Sequence, residues 1–159
     1  MREPLPGVVY PPAEAAARYK VAGVLGETTL GKALHEAAQR FADRTALVGG
    51  GRRWTYRELD AIGDKVAAAL LRLGLRPLDR VMMQIGNVPE FFFAAYGCFK
   101  AGLVPVCTLA AHRESEIGFL APFTGARAHF VQGNLAKFDL AAFAVEMQPK
   151  TGVAHIIAT

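Results

Sequence analysis

Cysteine is scarce in this chain, and the two present, Cys98 and Cys107, form no Cys-x-x-C pair and have no histidine at ligand spacing. That excludes a disulfide framework and leaves two free thiols in apolar stretches, expected to be buried in a protein of the reducing cytoplasm. Positive charge is present but not gathered. The formal net charge is +4, from 18 Lys and Arg against 14 Asp and Glu, with no basic run of five or more. Such dispersal reads as a solvated surface and argues against a nucleic-acid partner. The N-terminal "MREPLPGVVYPP" has no apolar core, so no signal peptide is expected. The longest apolar run, Phe91–Ala111, is broken by Lys100, Gly102 and Pro105, which makes it a helix followed by a strand and excludes a membrane partner.

Complete catalytic sets are also missing. The histidines His35, His112, His129 and His155 lie far apart and show no metal spacing. His129 and His155 fall in predicted strands, as core or edge residues. There is no G-x-S-x-G elbow, and neither cysteine has a paired histidine. Glu114 and Glu116, two residues apart, point in different directions on a helix and serve its N-terminus, not a carboxylate pair.

What is present suffices for one core: 159 residues, 52% of them hydrophobic and 20% charged. Gly26–Ala33, "GETTLGKA", lies one residue from a phosphate-binding loop, but Ala33 replaces the hydroxyl that would meet magnesium, and no strand precedes it. Apolar residues at Leu30, Ala33, Leu34, Ala37, Ala38 and Phe41 instead predict an amphipathic helix capped by Thr28 or Thr29, with Gly31 and Lys32 on its outer face. "PAEAAARYKVAG" predicts a short helix before it. Thr45–Val48 and Arg53–Thr55 flank Gly49-Gly50-Gly51 as a β-hairpin. Thr55 and Glu58 form a capping box for a helix with a stripe of Leu59, Ile62, Val66, Leu70 and Leu73, ended by Gly74.

From there the pattern alternates. "DRVMMQIG", "VPVCTL", "AHFVQ" and "VAHIIA" read as strands. Between them lie a helix from Asn87–Pro89 to Ala101, "RESEIGFLA" disturbed by Pro122, and "LAAFAVEM". "QPKTG", Gln148–Gly152, reads as a turn. This rhythm predicts an α/β fold, a layered parallel sheet flanked by helices with a short N-terminal β-hairpin. Residues 1–28 form an arm with a short helix, and residues 29–159 an incomplete α/β subdomain. Ligands of such sheets bind at the carboxyl ends of the strands.

Several segments, in order, resemble the adenylate-forming acyl- and aryl-acid ligases. "WTYREL" (Trp54–Leu59) is similar to the first core motif of that superfamily, and "CFKAGLVPVCTLAAHRESEI" (Cys98–Ile117) to the second. "PAEAAARYKVAG", "GNVPEFFFAAYGCFKAG" and "AHRESEI" resemble most the 2,3-dihydroxybenzoate–AMP ligases and their aryl-acid relatives. The likeness runs from about Tyr10 to the end. It implies part of the large N-terminal domain of these enzymes, which are several times longer. In them ATP and Mg2+ convert a carboxylate to an acyl-adenylate, which passes to a thiol of CoA or of a carrier phosphopantetheine. The phosphate loop, adenine motifs and catalytic lysine of the family have no counterpart in residues 1–159.

The resemblance therefore implies a non-catalytic scaffold fragment of a cytoplasmic ligase, with no catalytic or metal residue of its own. By the same resemblance Leu109, Ala110, Ala111, His112 and Arg113 form the turn that walls the pantetheine tunnel. For Arg113 the alternatives are a phosphate contact and a plain surface charge, and for His112 a helix cap. The implied partner is the remainder of the ligase chain. Apolar elements left uncovered, Phe91–Phe99 and Leu140–Met147, would drive self-association as a homodimer. The residues alone leave open a self-sufficient α/β binding module, or a truncated paralogue that pairs with a ligase subunit.

Overall fold

The computed structural model describes residues 9–133, 135 and 137–159; the start of the Pro-rich arm, residues 1–8, lies outside the described residues. A first helix, α1 (Ala13–Val21), has no buried residue. Helix α2 (Leu30–Phe41) follows, capped by the Thr29 hydroxyl, which accepts from the Lys32 N–H at 3.2 Å. Strands β1 (Thr45–Gly49) and β2 (Arg52–Thr55) pair antiparallel around the glycine turn, where Gly50 and Gly51 take φ of 55° and 74°. Only glycine adopts such angles without strain, which is why the turn sits there. Thr55 and Glu58 close the capping box at the start of α3 (Tyr56–Arg72).

The remaining elements alternate strictly: β3 (Arg80–Gln84), α4 (Pro89–Ala101), β4 (Val104–Cys107), α5 (Glu114–Thr124), β5 (Ala126–Val131), α6 (Leu140–Thr151) and β6 (His155–Ala158). The four strands form one parallel sheet in the order β4-β3-β5-β6. Its two faces bury separate clusters. Val81, Met83, Ala128 and Phe130 pack against Leu70 of α3 and Ala94 and Cys98 of α4. On the other face, Met82 packs with Ile117 and Ala121 of α5, and Val131 with Leu140 and Ala144 of α6. Being covered on both faces, the strands need apolar side chains on both, and "VMM" of β3 and "FV" of β5 supply them.

Several expectations change in detail. Gly31 is buried, not on the outer face, because α2 crosses α4 there: a Cβ on Gly31 would lie 3.2 Å from the Lys100 Cα. That crossing rotates α2, so Leu34 and Ala38 are buried while Leu30 is 59% exposed. Leu73 is likewise exposed, since α3 ends at Arg72. Val88, not Asn87, occupies the cap position of α4, with Pro89 in its first turn, where proline lacks only an N–H that would be unpaired anyway. Gln148–Thr151 are the last turn of α6, not a separate turn, and Gly152 ends it at φ 68°. Pro122 sits near the end of α5 without breaking it. Cys98 is buried as expected, but Cys107, at the end of an edge strand, is exposed. Phe91–Phe99 buries Ala94, Ala95, Gly97 and Cys98 and exposes Phe92, while Leu140–Met147 buries Leu140, Ala144 and Met147 and exposes Val145; the most exposed rings are Phe119 and Phe123 of α5, stacked at 5.3 Å. Among the described residues, no helix is long and apolar enough to cross a membrane.

Candidate functional site

The chain leaves β3 toward β4 on one side, then crosses to β5 on the other. Just beyond the carboxyl ends of β3 and β5 the connections diverge, which opens a crevice in folds of this kind. Here it is spanned by Gln132, whose side-chain oxygen accepts from the Gly86 N–H at 3.0 Å. Beside it the chain after β4 makes a tight turn. Thr108 is buried, with its hydroxyl donating to the Met83 carbonyl, and the His112 N–H bonds the Leu109 carbonyl at 3.0 Å.

Arg113 holds this turn together. Its Nη1 donates to the Ala110 carbonyl at 2.9 Å and to the His112 carbonyl at 2.7 Å, while its guanidinium lies 3.8 Å from the Phe138 ring centroid. A cation against a ring face gains about 0.5–2 kcal/mol, more as water is excluded. Arg113 is thus a strut for this turn. Its backbone N–H donates to the Glu116 carboxylate at 3.0 Å, which holds that carboxyl below the usual range. His112 lies one residue before the helix cap, so it is a turn residue and not the cap.

Between this turn and the segment leading into α6 lies a cleft of about 550 Å3, lined by Ala110, Ala111, Arg113, Leu135, Lys137 and Phe138. Of the five turn residues singled out in the sequence, Ala110, Ala111 and Arg113 line it and Leu109 and His112 do not. Leu135, Lys137 and Phe138 were not anticipated; an aromatic before α6 has no motif to mark it. Gln84 and Gln132 were also missed, though a glutamine closing an otherwise apolar strand is itself a signal, because burying its amide requires partners.

A second polar cluster is built on the opposite face. Lys100 of α4 reaches between Asp60 and Asp64 of α3, with its Nζ 2.5 Å and 2.6 Å from their carboxylates. Asp60 Oδ1 has no hydrogen bond of ordinary geometry, and this ion-pair contact is what answers its charge. Its Oδ2 meets His35 Nδ1 of α2 at 2.9 Å. Burial pushes the Asp60 carboxyl up, and the contacts with Lys100 and His35 outweigh it, so its pKa is lowered; for Lys100, burial works against the two carboxylates and the pKa is raised. The cluster ties three helices together and offers no reactive group. Burial also pushes the Cys98 thiol up to about 12, which leaves it unreactive.

Among the described residues no three His, Cys, Asp or Glu side chains converge to hold a metal ion. The near-match at Gly26–Ala33 ends inside α2, with Lys32 paired to Glu36 on its surface at 3.6 Å.

Residues 34–158 match the AMP-binding enzyme family. The chain is 39% identical over 153 residues to triostin synthetase I of Streptomyces triostinicus, covering 96% of this chain and 28% of that protein. It is 36% identical over 139 residues to the 2,3-dihydroxybenzoate-AMP ligase of Bacillus subtilis (strain 168), covering 87% of this chain and 26% of that one. The apo structure of Mycobacterium smegmatis MbtA superposes with a TM-score of 0.87 at 35% identity, over 96% of this chain and 28% of that one. The chain therefore spans roughly a quarter of the length of the relatives it matches.

Proposed function

The chain belongs to the AMP-binding enzyme family, and from that premise we propose that it forms the N-terminal wall of a ligase that activates an aryl acid as its adenylate. In this reading ATP and Mg2+ are held by parts of the ligase other than residues 1–159, and these residues by themselves form no adenylate. Residues 1–28 are its arm and 29–159 an incomplete α/β subdomain. The free cysteines are in keeping with a cytoplasmic protein.

The role proposed for this chain is to wall the thiol's approach. The turn Leu109–Arg113 guides the pantetheine arm of CoA or of a carrier protein, and the observation that carries this is the cleft between Ala110, Ala111, Arg113 and Phe138. Its alanines admit a slender chain, its Phe138 ring supplies apolar contact, and Lys137 stands at its rim for an acidic group. Arg113 contributes by fixing the turn's carbonyls, so the wall is ordered before the arm arrives.

Titrating pantetheine into the isotopically labelled chain tests the reading. Resonance shifts at Ala110, Ala111, Arg113 and Phe138 are expected; shifts confined to other residues, or none at saturating pantetheine, would overturn the assignment. The companion assay is carboxylate-dependent exchange of pyrophosphate into ATP. Residues 1–159 should give only background, and exchange above it would show that the nucleotide site lies within them after all. The partner of the chain in this reading is the remainder of the ligase. In its absence a second copy takes that place, because the Phe119 and Phe123 rings stand 62% and 75% exposed. Light scattering over a concentration series should show dimers, and a strictly monomeric protein would refute that part.

A further inference from the structure

Not every polar atom at the carboxyl end of β3 finds a partner within the protein. Gln84 is fully buried; its Nε2 donates to the His112 carbonyl at 2.8 Å, while its Oε1 is buried and unpartnered. His112 Nδ1, on the residue whose carbonyl Gln84 holds, is buried and unpartnered as well. His129 Nε2 is the third such atom. The register places Met82 beside His129 and Gln84 beside Val131, so Gln84 and His129 are diagonal neighbours on the α5–α6 face of the sheet. Gln84 and His112 meet at the carboxyl end of β3, and His129 lies two residues before the end of β5 on the same face of the sheet. A buried polar atom without a partner loses its hydration and gains nothing, so native interiors fill such sites.

We infer that these side chains wall an internal hydration site, in which an ordered water is held between Gln84 Oε1 and His112 Nδ1 with His129 Nε2 as its third polar wall. The chemistry selects water over other small ligands. Gln84 Oε1 can only accept, so its partner must donate; a simple anion has no proton to give it. A metal ion would need a ligand set, and no three His, Cys, Asp or Glu side chains converge among the described residues. Burial pushes the His129 imidazole down to about 4, so it is neutral near pH 7 and carries one donor and one acceptor nitrogen. Water donates twice and accepts twice, and a buried water with two to four such partners is an ordinary structural component. The water doubles the link between β3 and the turn Leu109–Arg113, since Gln84 then grips His112 through its carbonyl directly and through its ring by way of the solvent molecule.

A high-resolution crystal structure of the chain should show a solvent peak within about 3.2 Å of both Gln84 Oε1 and His112 Nδ1. In solution, the side-chain amide protons of Gln84 should give cross-relaxation peaks to a long-lived water. In the variant Gln84→Met those peaks vanish, and the amides of His112 and Arg113 should exchange with solvent about tenfold faster than in the wild type. An empty apolar void at that position, or His112 Nδ1 bonded directly to Gln84 Oε1, would overturn the inference. Unchanged exchange in the variant would overturn the claimed link. If Gln84→Met does not fold, the wild-type crystal and relaxation measurements decide the question alone.

Discussion

The two faces of the sheet bury polar groups in opposite ways. Beneath α2, α3 and α4, Lys100 answers Asp60 and Asp64, and His35 answers the second oxygen of Asp60. Beneath α5 and α6, Gln84, His112 and His129 each keep a buried atom that no protein group meets. The first set is closed and works as a tie between helices. The second is open and gathers around the carboxyl end of β3 and the turn after β4. On the first face the charges are paired within the chain; on the second, the buried atoms of Gln84, His112 and His129 are not.

The sharpest way to break the comparison is to open the closed side. Lys100→Met should leave Asp60 buried without its cation and cost about 3 kcal/mol, read from urea unfolding. A loss below about 1 kcal/mol would mean the tie is no stronger than a surface pair. Acid titration compares the faces directly. His129 is buried neutral with its pKa lowered to about 4 from 6.5. Unfolding lets it take a proton, so its contribution is complete above pH 6.5 and drains away as pH falls toward 4. By linkage that loss is on the order of 3 kcal/mol. Asp60, also lowered, holds its contribution above its usual 3.8 and loses it only below that, as pH falls through its folded value. Stability should therefore fall in two stages, the open face first. The early stage should disappear in His129→Phe, and its persistence there would assign it elsewhere.

Smaller effects sharpen the picture of the closed face. A Cβ on Gly97 would lie 2.3 Å from the Val66 Cγ1, so Gly97→Ala should push α3 from α4 and cost about 2 kcal/mol by thermal melting. At the low end, Lys32→Ala should change stability by no more than about 0.5 kcal/mol, because Lys32 has only a surface pair with Glu36. It should also leave any ATP affinity as it was, and loss of nucleotide binding would revive the phosphate loop.

Much of this was legible in the sequence because it was local. The capping box at Thr55 and Glu58, the triple-glycine turn and the glycines after α3 and α4 are written in adjacent residues. The alternation after Arg80 gave the parallel sheet. What escaped depended on partners distant in the chain. Gly31 looked exposed because its neighbour, Lys100, is on another helix. Arg113 had two open readings because Phe138, which stacks on it, carries no motif. Three of the five turn residues line the cleft, yet its far wall of Leu135, Lys137 and Phe138 could not be paired with them by spacing alone.

The stem of Lys100 also constrains how this chain can drift. A methyl added at Gly63 would meet the Lys100 Cδ and Cε at 3.3 and 3.4 Å and the Tyr96 Cβ at 3.6 Å, whereas one added at Gly31 would meet the Lys100 Cγ, Cα and backbone nitrogen at 3.1, 3.2 and 3.3 Å. A shorter residue at position 100 therefore makes room for alanine at 63, whereas alanine at 31 still needs the backbone at 100 to move. Since the shorter residue strands Asp60, that position must lose its charge before or with the change. Positions 60, 63 and 100 should vary as a set among descendants of this sequence, in a restricted order of steps, while position 31, held by backbone, should change less readily than position 63.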